Sequence, residues 1–229
     1  MPRIHAVIPA AGSSTRMGND APKQFTRIGG RTLLERTLQP LCDEARIARI
    51  LVVLAPGAEL PAPLDCGARI EIEPIGGGCR AESVRNGLRR LAQSESKHDF
   101  VLVHDAARPC LGSDELARLI DLAGGDDVGG LLAQPVGDTI KRSGDGRVAQ
   151  TVDRSGLWRA ATPQMFRLGI LAAALEACED LTAVTDESAA IERLGLRPLL
   201  VAGEATNFKV TTPADWALAE AILRMQKRW

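Results

Sequence analysis

Apolar runs of strand length alternate along this chain with amphipathic segments of helix length, and this alternation is the strongest constraint on its fold. The predicted strands are Ile4–Pro9, Ile50–Ala55, Phe100–His104, Gly130–Gln134, Leu199–Val201 and Phe208–Val210. The predicted helices are Thr32–Leu41, Ser83–Ala92, a segment beginning at Ser113, Asp186–Leu194, and a last segment from Pro213 to about Lys227. Such a pattern favours an α/β fold with a mostly parallel sheet and helices on both faces.

The stretch over 136–155 interrupts this alternation. Two short β-like pieces, Thr139–Arg142 and Val148–Val152, flank the SGDG turn at Ser143–Gly146, with no helix between them. A two-stranded hairpin is marginal alone, so we expect this arm to pack on a partner subunit and form a homodimer. The length of 229 residues fits a single α/β domain over 1–229 that carries the arm.

Composition argues against several classes of partner. The formal net charge is −1 and aromatic residues make up 3% of the chain, so we expect no binding to nucleic acid or to a membrane surface. No apolar run reaches the roughly 18 residues of a membrane-spanning helix. The five cysteines are scattered, with no CxxC pair, which indicates neither a disulfide framework nor a zinc site and favours a cytoplasmic location.

The loop after the first predicted strand carries the strongest local motif. It reads PAAGSSTRMG over 9–18 and is followed by PKQ over 22–24. The backbone N–H groups of Ala10, Ala11 and Gly12 can approach a triphosphate closely, and Arg16 and Lys23 can stabilise the charge that develops at phosphorus. The spacing matches neither a dinucleotide fingerprint nor a P-loop. The alternative is a turn of small residues with two solvated cations.

Two further loops are candidates for the site. Asp105 follows the third strand in the sequence HDAARP, where a carboxylate can bind Mg²⁺; the alternative is that it caps a turn and pairs with Arg108. The GGG run at 76–78 precedes Arg80 and Ser83 and can wrap a base or ribose, or it is a flexible turn with Ser83 as a helix cap. The three histidines show no metal-ligand spacing, and none is assigned a catalytic role.

Taken together, these motifs make the chain similar to one family from end to end. The matching segments are PAAGSSTRMG, PKQF, RAESV, VHDAARP, TVDRSGLWRAATPQ, TDESAAIE and NFKVTTPAD. The chain thereby resembles the 2-C-methyl-D-erythritol 4-phosphate cytidylyltransferases of the non-mevalonate isoprenoid pathway. The resemblance implies a Rossmann-like nucleotidyltransferase fold, a divalent cofactor (Mg²⁺), and CTP and a small sugar-alcohol phosphate as substrates.

The resemblance also implies roles for individual residues. Arg16 and Lys23 would stabilise the transition state, and Asp105 would bind the metal. Nucleotide contacts would come from Ala10, Ala11, Gly12, Ser83 and Asp105. Contacts to the methylerythritol phosphate would come from Arg108, Arg154, Thr162, Thr185 and Lys209. Of these, Arg154 and Thr162 would be donated across the dimer interface.

The chain departs from the family pattern at two positions. Gly78 stands where the family often has a carboxylate, so any ribose or base contact from that side chain is absent. Glu82 replaces a more usual Asp in the same motif. Both departures concern the nucleotide contacts and leave every implied transition-state cation in place.

The hypothesis that follows is cytidylyl transfer without a covalent enzyme intermediate. A phosphate oxygen of the acceptor attacks the α-phosphorus of Mg-CTP in line, pyrophosphate leaves, and 4-diphosphocytidyl-2-C-methylerythritol is formed. Clustered cations that hold two anions together supply most of the catalysis. Three alternatives stay open: the same chemistry on ribitol 5-phosphate, a non-catalytic nucleotide-binding regulatory module, and a nicotinamide-dependent oxidoreductase.

Replacing either proposed transition-state cation tests this hypothesis. We predict that Lys23→Ala or Arg16→Ala lowers kcat far more than it raises KM, because the charge is needed chiefly when phosphorus becomes pentacoordinate. Steady-state kinetics with varied CTP would measure both constants. Turnover near that of the wild type in either variant would remove that residue from the mechanism.

Overall fold

The computed structural model describes residues 2–12, 22–61, 64 and 69–229, and its elements largely follow the predicted alternation. Its strands are β1 (Ile4–Pro9), β2 (Arg27–Ile28), β3 (Arg31–Thr32), β4 (Ile47–Val53), β5 (Ile70–Glu73), β6 (Phe100–Val103), β7 (Gly129–Pro135), β8 (Ile140–Gly144), β9 (Arg147–Val152), β10 (Trp158–Arg167) and β11 (Leu199–Ala202). Its helices are α1 (Leu33–Asp43), α2 (Arg80–Leu91), α3 (Ser113–Gly124), α4 (Leu168–Glu176), α5 (Glu187–Arg193) and α6 (Pro213–Met225). Short 3₁₀ turns lie at Lys23–Phe25 and Leu181–Ala183.

Within this described part, a seven-stranded sheet has the order β11-β7-β10-β6-β1-β4-β5. Neighbouring strands are parallel except at β10, which runs antiparallel to both β6 and β7. The predicted α/β fold with a mostly parallel sheet is confirmed. From β1 the chain builds outward through β4 and β5 and then returns to place β6 on the other side of β1. The strand order therefore reverses between β1 and β6.

Strict alternation along the central strands divides the core between the two faces of the sheet. In β1, Ala6 and Ile8 belong to one buried cluster while Val7 belongs to the other. The first cluster is covered by α1 and α3, and the second by α2, α4 and α5. Successive strand side chains point to opposite faces, so a strand buried on both faces must be apolar at every position. This is why β6 reads as a continuous apolar run and why His5 is the exception in β1.

Helix ends follow local capping chemistry. Thr32 caps α1 and forms a reciprocal capping box with Glu35. Thr212 does the same for α6 with Asp215, and Pro213 occupies the first turn, as the sequence predicts. Among the described helices, none is both long and apolar enough to span a bilayer.

Several features differ from the sequence-based expectations, and among them strand β5 and helix α4 were not predicted. The ten-residue strand β10 was not predicted, since its polar residues and Pro163 obscure the strand pattern. The predicted strand Phe208–Val210 is wrong: the segment joins no sheet, and its Val210 N–H donates instead to the Ala107 carbonyl at 2.8 Å. Cys42 is disulfide-bonded, contrary to the expectation from cysteine spacing, whereas Cys79, Cys110 and Cys178 are free thiols.

The predicted hairpin is confirmed, with strand bounds shifted by one or two residues. β8 and β9 pair antiparallel around Asp145 and Gly146, which both have positive φ values (51° and 75°). Two consecutive left-handed residues make the tight turn that matches the twist of a hairpin. The arm is almost entirely exposed, and Val148 is 65% exposed. An apolar side chain this exposed on a two-stranded hairpin is typical of a surface that contacts another molecule.

Candidate active site

A cleft opens at the carboxyl ends of β1 and β6, where the strand order reverses. In open α/β sheets, ligands bind in the crevice at such a switch point because the loops on either side diverge. The loop after β1 contributes Ala10–Gly12, the loop after β6 contributes Asp105, and the loop after β5 contributes Gly77 and Gly78. All three loops that the sequence singles out therefore meet at one edge of the sheet.

The cleft has a volume of about 450 Å³, within the range of small-molecule sites. In the described part of the chain, its lining contains one carboxylate, that of Asp105, beside the cations Lys23, Arg80 and Lys209. The complete set of described lining residues is Pro9, Ala10, Ala11, Gly12, Lys23, Gln24, Gly77, Gly78, Cys79, Arg80, Ser83, Asp105, Ala106, Ala107 and Lys209. A small, predominantly cationic cleft of this kind is suited to anionic ligands.

The loop after β1 is held by a side chain that sequence reasoning did not assign. The buried Gln24 amide donates to the Ala10 carbonyl at 2.8 Å and to the Gly12 carbonyl at 3.1 Å. In a trans peptide the N–H points opposite to the C=O, so the Ala11 N–H faces away from Gln24. The neighbouring Lys23 donates to the Val210 carbonyl at 2.6 Å, which ties the start of this site to the C-terminal segment.

The glycine loop is held from within by α2. The Ser83 hydroxyl accepts from the Gly77 N–H and donates to the Cys79 carbonyl, both at 3.0 Å. The Glu82 carboxylate accepts from the Gly78 N–H at 2.8 Å. Cys79, not Ser83, is the helix cap, and α2 begins three residues earlier than predicted. Ser83 thus lines the cleft while its hydroxyl shapes the loop.

Asp105 lies at the centre of a cluster of cations. Its Oδ1 accepts from Arg80 Nε at 2.7 Å, and its Oδ2 faces Lys209 Nζ at 3.1 Å and Arg108 Nε at 3.4 Å. Burial alone would raise the pKa of this carboxyl, but Arg80, Lys209 and Arg108 outweigh it and hold the pKa well below its usual range. Asp105 is therefore ionised throughout the physiological range.

Behind Asp105, a buried hydrogen-bonded chain fixes the loop. The Asp105 N–H donates to Thr162 Oγ1 at 3.0 Å, and this hydroxyl lies 3.0 Å from Nδ1 of His104. The other ring nitrogen of His104 faces the Arg108 carbonyl at 3.4 Å, which makes it the donor and leaves Nδ1 as an acceptor. Burial lowers the pKa of His104 to about 3, so this ring is neutral and has a structural role.

The structure brings most of the predicted site residues together. Ala10, Ala11, Gly12, Lys23, Ser83, Asp105 and Lys209 line the cleft, while Arg108 and Thr162 contact Asp105. Thr162 does so within its own chain and is 4% exposed, and its donation to a partner stays a prediction.

Two predicted site residues, Arg154 and Thr185, lie outside this group. Arg154 lies at the base of the arm, where it donates to the Gly137 carbonyl, and Thr185 is exposed. Neither of them lines the described cleft of this chain. Arg16 falls outside the described residues.

Sequence reasoning missed the partner of Arg80. Arg80 donates to both oxygens of Glu187, at 2.7 and 3.0 Å, while it also contacts Asp105. Although burial opposes it, the two carboxylates raise the pKa of Arg80 above its ordinary value. Both residues stand inside the quoted motifs RAESV and TDESAAIE, but nothing in one sequence pairs positions 107 residues apart.

The donor set at Asp105 fits a divalent cation only in part. A carboxylate offers about four lone-pair directions, and three of them face Arg80, Arg108 and Lys209. Mg²⁺ commonly keeps several waters and is bound by one or two carboxylates together with substrate phosphates. The site therefore fits a metal that arrives with a phosphate ligand, and does not form a cage for a bare ion.

A second group of ligand-type side chains lies at the opposite end of β1. His5 Nε2 is 3.5 Å from both Glu95 Oε2 and Asp99 Oδ2. Glu95 also faces Arg49 at 3.2 Å, and Asp99 accepts the N–H groups of Arg3 and Ser96 at 2.8 and 3.0 Å. Because both carboxylates already have partners, we interpret this group as an ionic network that anchors the start of β1.

The role of the Thr162 hydroxyl can be tested by stability. Thr162→Val keeps the shape but leaves a buried N–H of Asp105 and Nδ1 of His104 without a partner, which should lower the free energy of unfolding by roughly 2 to 4 kcal/mol. Thr162→Ser retains the hydroxyl and should cost about 1 kcal/mol. Urea unfolding at one fixed protein concentration would measure both. Equal stability of the valine and serine variants would contradict this assignment.

The chain matches known proteins over nearly its full length. Residues 4–225 match the family model IspD, described as 2-C-methyl-D-erythritol 4-phosphate cytidylyltransferase. The enzyme of that name from Laribacter hongkongensis is 57% identical over 228 residues, covering 97% of each chain. The crystal structure of a 4-diphosphocytidyl-2C-methyl-D-erythritol synthase superposes with a TM-score of 0.87 at 41% identity, covering 97% of this chain and 99% of that one. The corresponding enzyme of Francisella tularensis gives a TM-score of 0.83 at 33% identity, covering 96% and 100%. This chain belongs to the 2-C-methyl-D-erythritol 4-phosphate cytidylyltransferase family.

Proposed function

We propose that this enzyme transfers a cytidylyl group from CTP to 2-C-methyl-D-erythritol 4-phosphate, giving 4-diphosphocytidyl-2-C-methyl-D-erythritol and pyrophosphate. The observation that carries the proposal is the assembly of Arg80, Arg108 and Lys209 around Asp105 at the switch point of the sheet, with Lys23 lining the same cleft. Family membership supplies the identity of the substrates, and the cationic cleft supports the chemistry.

The nucleotide occupies the part of the cleft between the loop after β1 and the glycine loop. Backbone N–H groups at Ala11 and Gly12 approach the triphosphate, and the loop over 76–78 lies against the cytidine. Gln24 and Ser83 hold these two loops before the ligand arrives. A cleft ordered in advance lowers the entropic cost of placing the α-phosphorus for reaction.

The acceptor phosphate lies on the Asp105 side of the cleft, where Arg108 and Lys209 balance its charge. One of its oxygens forms a bond to the α-phosphorus as the bond from that phosphorus to the bridging oxygen breaks, and pyrophosphate leaves with the electron pair. Lys23, together with Arg16, stabilises the charge on the oxygens of the transition state. The acceptor phosphate is ionised near neutral pH, so the neutral His104 need not act as a base.

Asp105 is the residue that would bind a divalent cation such as Mg²⁺ when the nucleotide is present. Such an ion neutralises charge on the phosphates and favours the departure of pyrophosphate. The chain's own contribution is to hold Asp105 ionised and oriented. Arg80 fixes Oδ1, and Thr162 fixes the backbone behind the carboxylate.

The arm completes the site in a homodimer. Arg154 lies at its base and outside its own chain's cleft, so we place its guanidinium against the methylerythritol phosphate bound by the partner. The exposed apolar residues Val148, Leu157 and Trp158 on and beside the arm support burial against a second copy. Thr185 remains a proposed contact to the acceptor.

The reaction itself is tested by pyrophosphate release from the purified protein with Mg²⁺. We predict rapid release only when CTP and methylerythritol phosphate are both present. Replacing CTP by UTP, or the acceptor by ribitol 5-phosphate, should each give much slower release. A coupled pyrophosphate assay measures all four combinations under one set of conditions.

Each other result would contradict part of the proposal. Activity with ribitol 5-phosphate in place of methylerythritol phosphate would retain the mechanism and replace the acceptor. A folded protein that binds CTP but releases no pyrophosphate with either acceptor would instead indicate a regulatory nucleotide-binding module.

Donation of Arg154 across the dimer predicts complementation between two inactive variants. A subunit with Lys23→Ala and a subunit with Arg154→Ala form one intact site per heterodimer, because the intact cleft receives the intact arginine. Random pairing of equal amounts should therefore recover about one quarter of wild-type activity. Co-expression with two different affinity tags allows the heterodimer to be isolated and assayed.

The control is a heterodimer of Lys23→Ala with Asp105→Asn. Both substitutions affect the cleft of their own subunit, so no intact site forms and no activity should return. If the Arg154→Ala heterodimer is equally inactive, Arg154 acts within its own chain and the proposed exchange is wrong.

A further inference from the structure

The guanidinium of Arg80 joins two carboxylates that belong to different parts of the fold. Its Nε donates to Asp105 Oδ1 at 2.7 Å, and its two terminal nitrogens donate to Glu187 at 2.7 and 3.0 Å. All three nitrogens are thus engaged, in the planar bidentate geometry that arginine forms with a carboxylate. A displacement of Glu187 would therefore be passed directly to Asp105.

Glu187 is out of reach of a ligand in this cleft. It is 1% exposed, and it does not line the cleft, whereas Arg80 and Asp105 do. A buried carboxylate is costly to desolvate and is retained where its partner needs it. Any influence of Glu187 on the reaction must therefore act through Arg80.

The position of Arg80 at the start of its helix shows why its positive charge needs the carboxylate of Glu187. Arg80 is the first residue of the 12-residue helix α2, where the helix dipole disfavours a positive charge. The site itself also carries Lys23, Lys209 and Arg108 near Asp105. Without Glu187, Asp105 would have to balance Arg80 as well as its own two other cations.

We propose that Glu187 is a positioning residue that neutralises and orients Arg80, so that Asp105 keeps one oxygen direction available for a divalent cation bound with CTP. The inference rests on the proposed function, since it concerns how Asp105 is presented to the metal and the nucleotide. Glu187 sets the metal requirement of the site and leaves its attraction for the nucleotide anion unchanged.

Replacing Glu187 by Gln tests this separation. The substitution keeps size and removes charge, so Arg80 is balanced by Asp105 alone and competes with the cation. We expect the Mg²⁺ concentration for half-maximal activity to rise by about tenfold, as for other residues that support a metal ligand. The KM for CTP at saturating Mg²⁺ should not rise by more than about twofold, because every cation that faces the nucleotide is retained.

A binding measurement without turnover supplies the second readout. Calorimetric titration of CTP into the protein at increasing Mg²⁺, with no acceptor present, should show the same shift in the metal concentration required. Glu187→Asp retains the charge at a shorter reach, so its shift should be smaller, about threefold.

Glu176→Gln is the matched control. Arg89, also on α2, forms a bidentate pair with Glu176 at 2.6 and 2.8 Å, but that pair is on the exposed surface. Removing the charge of Glu176 should leave the Mg²⁺ requirement, kcat and CTP binding unchanged.

The outcomes separate this inference from the proposed function. An active wild type with a folded Glu187→Gln variant whose Mg²⁺ requirement is unchanged would overturn the role of Glu187 alone. Equal losses in CTP affinity and in metal affinity would also overturn it. Failure of both Glu187 variants to fold would overturn it too. Either result would show that Glu187 has a general structural role. Absence of pyrophosphate release from the wild type would instead reject the proposed function.

Discussion

The ionised carboxylate of Asp105, buried among three cations, is the interaction on which the arrangement of the cleft depends. Each cation reaches it from a different part of the chain: Arg80 from α2, Arg108 from the turn after β6, and Lys209 from the segment before α6. Thr162 on the antiparallel strand β10 fixes the backbone at the same point. The short loop at Asp105 therefore contacts α2, β10 and the C-terminal segment. Its position follows from the reversal of strand order between β1 and β6.

Electrostatic preorganisation explains why the proposed mechanism needs no side chain that gains or loses a proton near neutral pH. Transfer of a cytidylyl group needs two polyanions close together, and their mutual repulsion is the main barrier that a protein can lower with fixed charge. The pKa of Asp105 is held low by its cations, and burial keeps His104 neutral. The ionised state of Asp105 and the neutral state of His104 are thus insensitive to pH over the range in which the phosphates themselves are ionised.

The sequence predicted five of the seven strands of the sheet, most of the helices and the three loops of the cleft, because these depend on local apolar periodicity and on small residues after strands. It did not predict β10, whose residues contribute to the cleft as well as to the hydrogen bonding of the sheet. In this strand Thr162 and Pro163 stand in place of apolar residues. It also assigned the Ser83 hydroxyl and Thr162 to ligands, whereas the structure shows both holding the backbone. The Arg80–Glu187 pair could not be found, since long-range pairing of charges leaves no periodic pattern in one chain.

The Glu82 carboxylate changes how the apparent loss at Gly78 should be understood. Position 78 carries no side chain, yet Glu82 extends back from α2 and accepts the Gly78 N–H at 2.8 Å. A Cβ on Gly77 would lie only 2.2 Å from Glu82 Cγ, so the bare loop is what makes room for this approach. A residue-by-residue comparison with the family would record a missing acid at position 78 and a conservative exchange of Asp for Glu at position 82. In three dimensions the negative charge of Glu82 still lies beside the loop that Gly78 leaves bare.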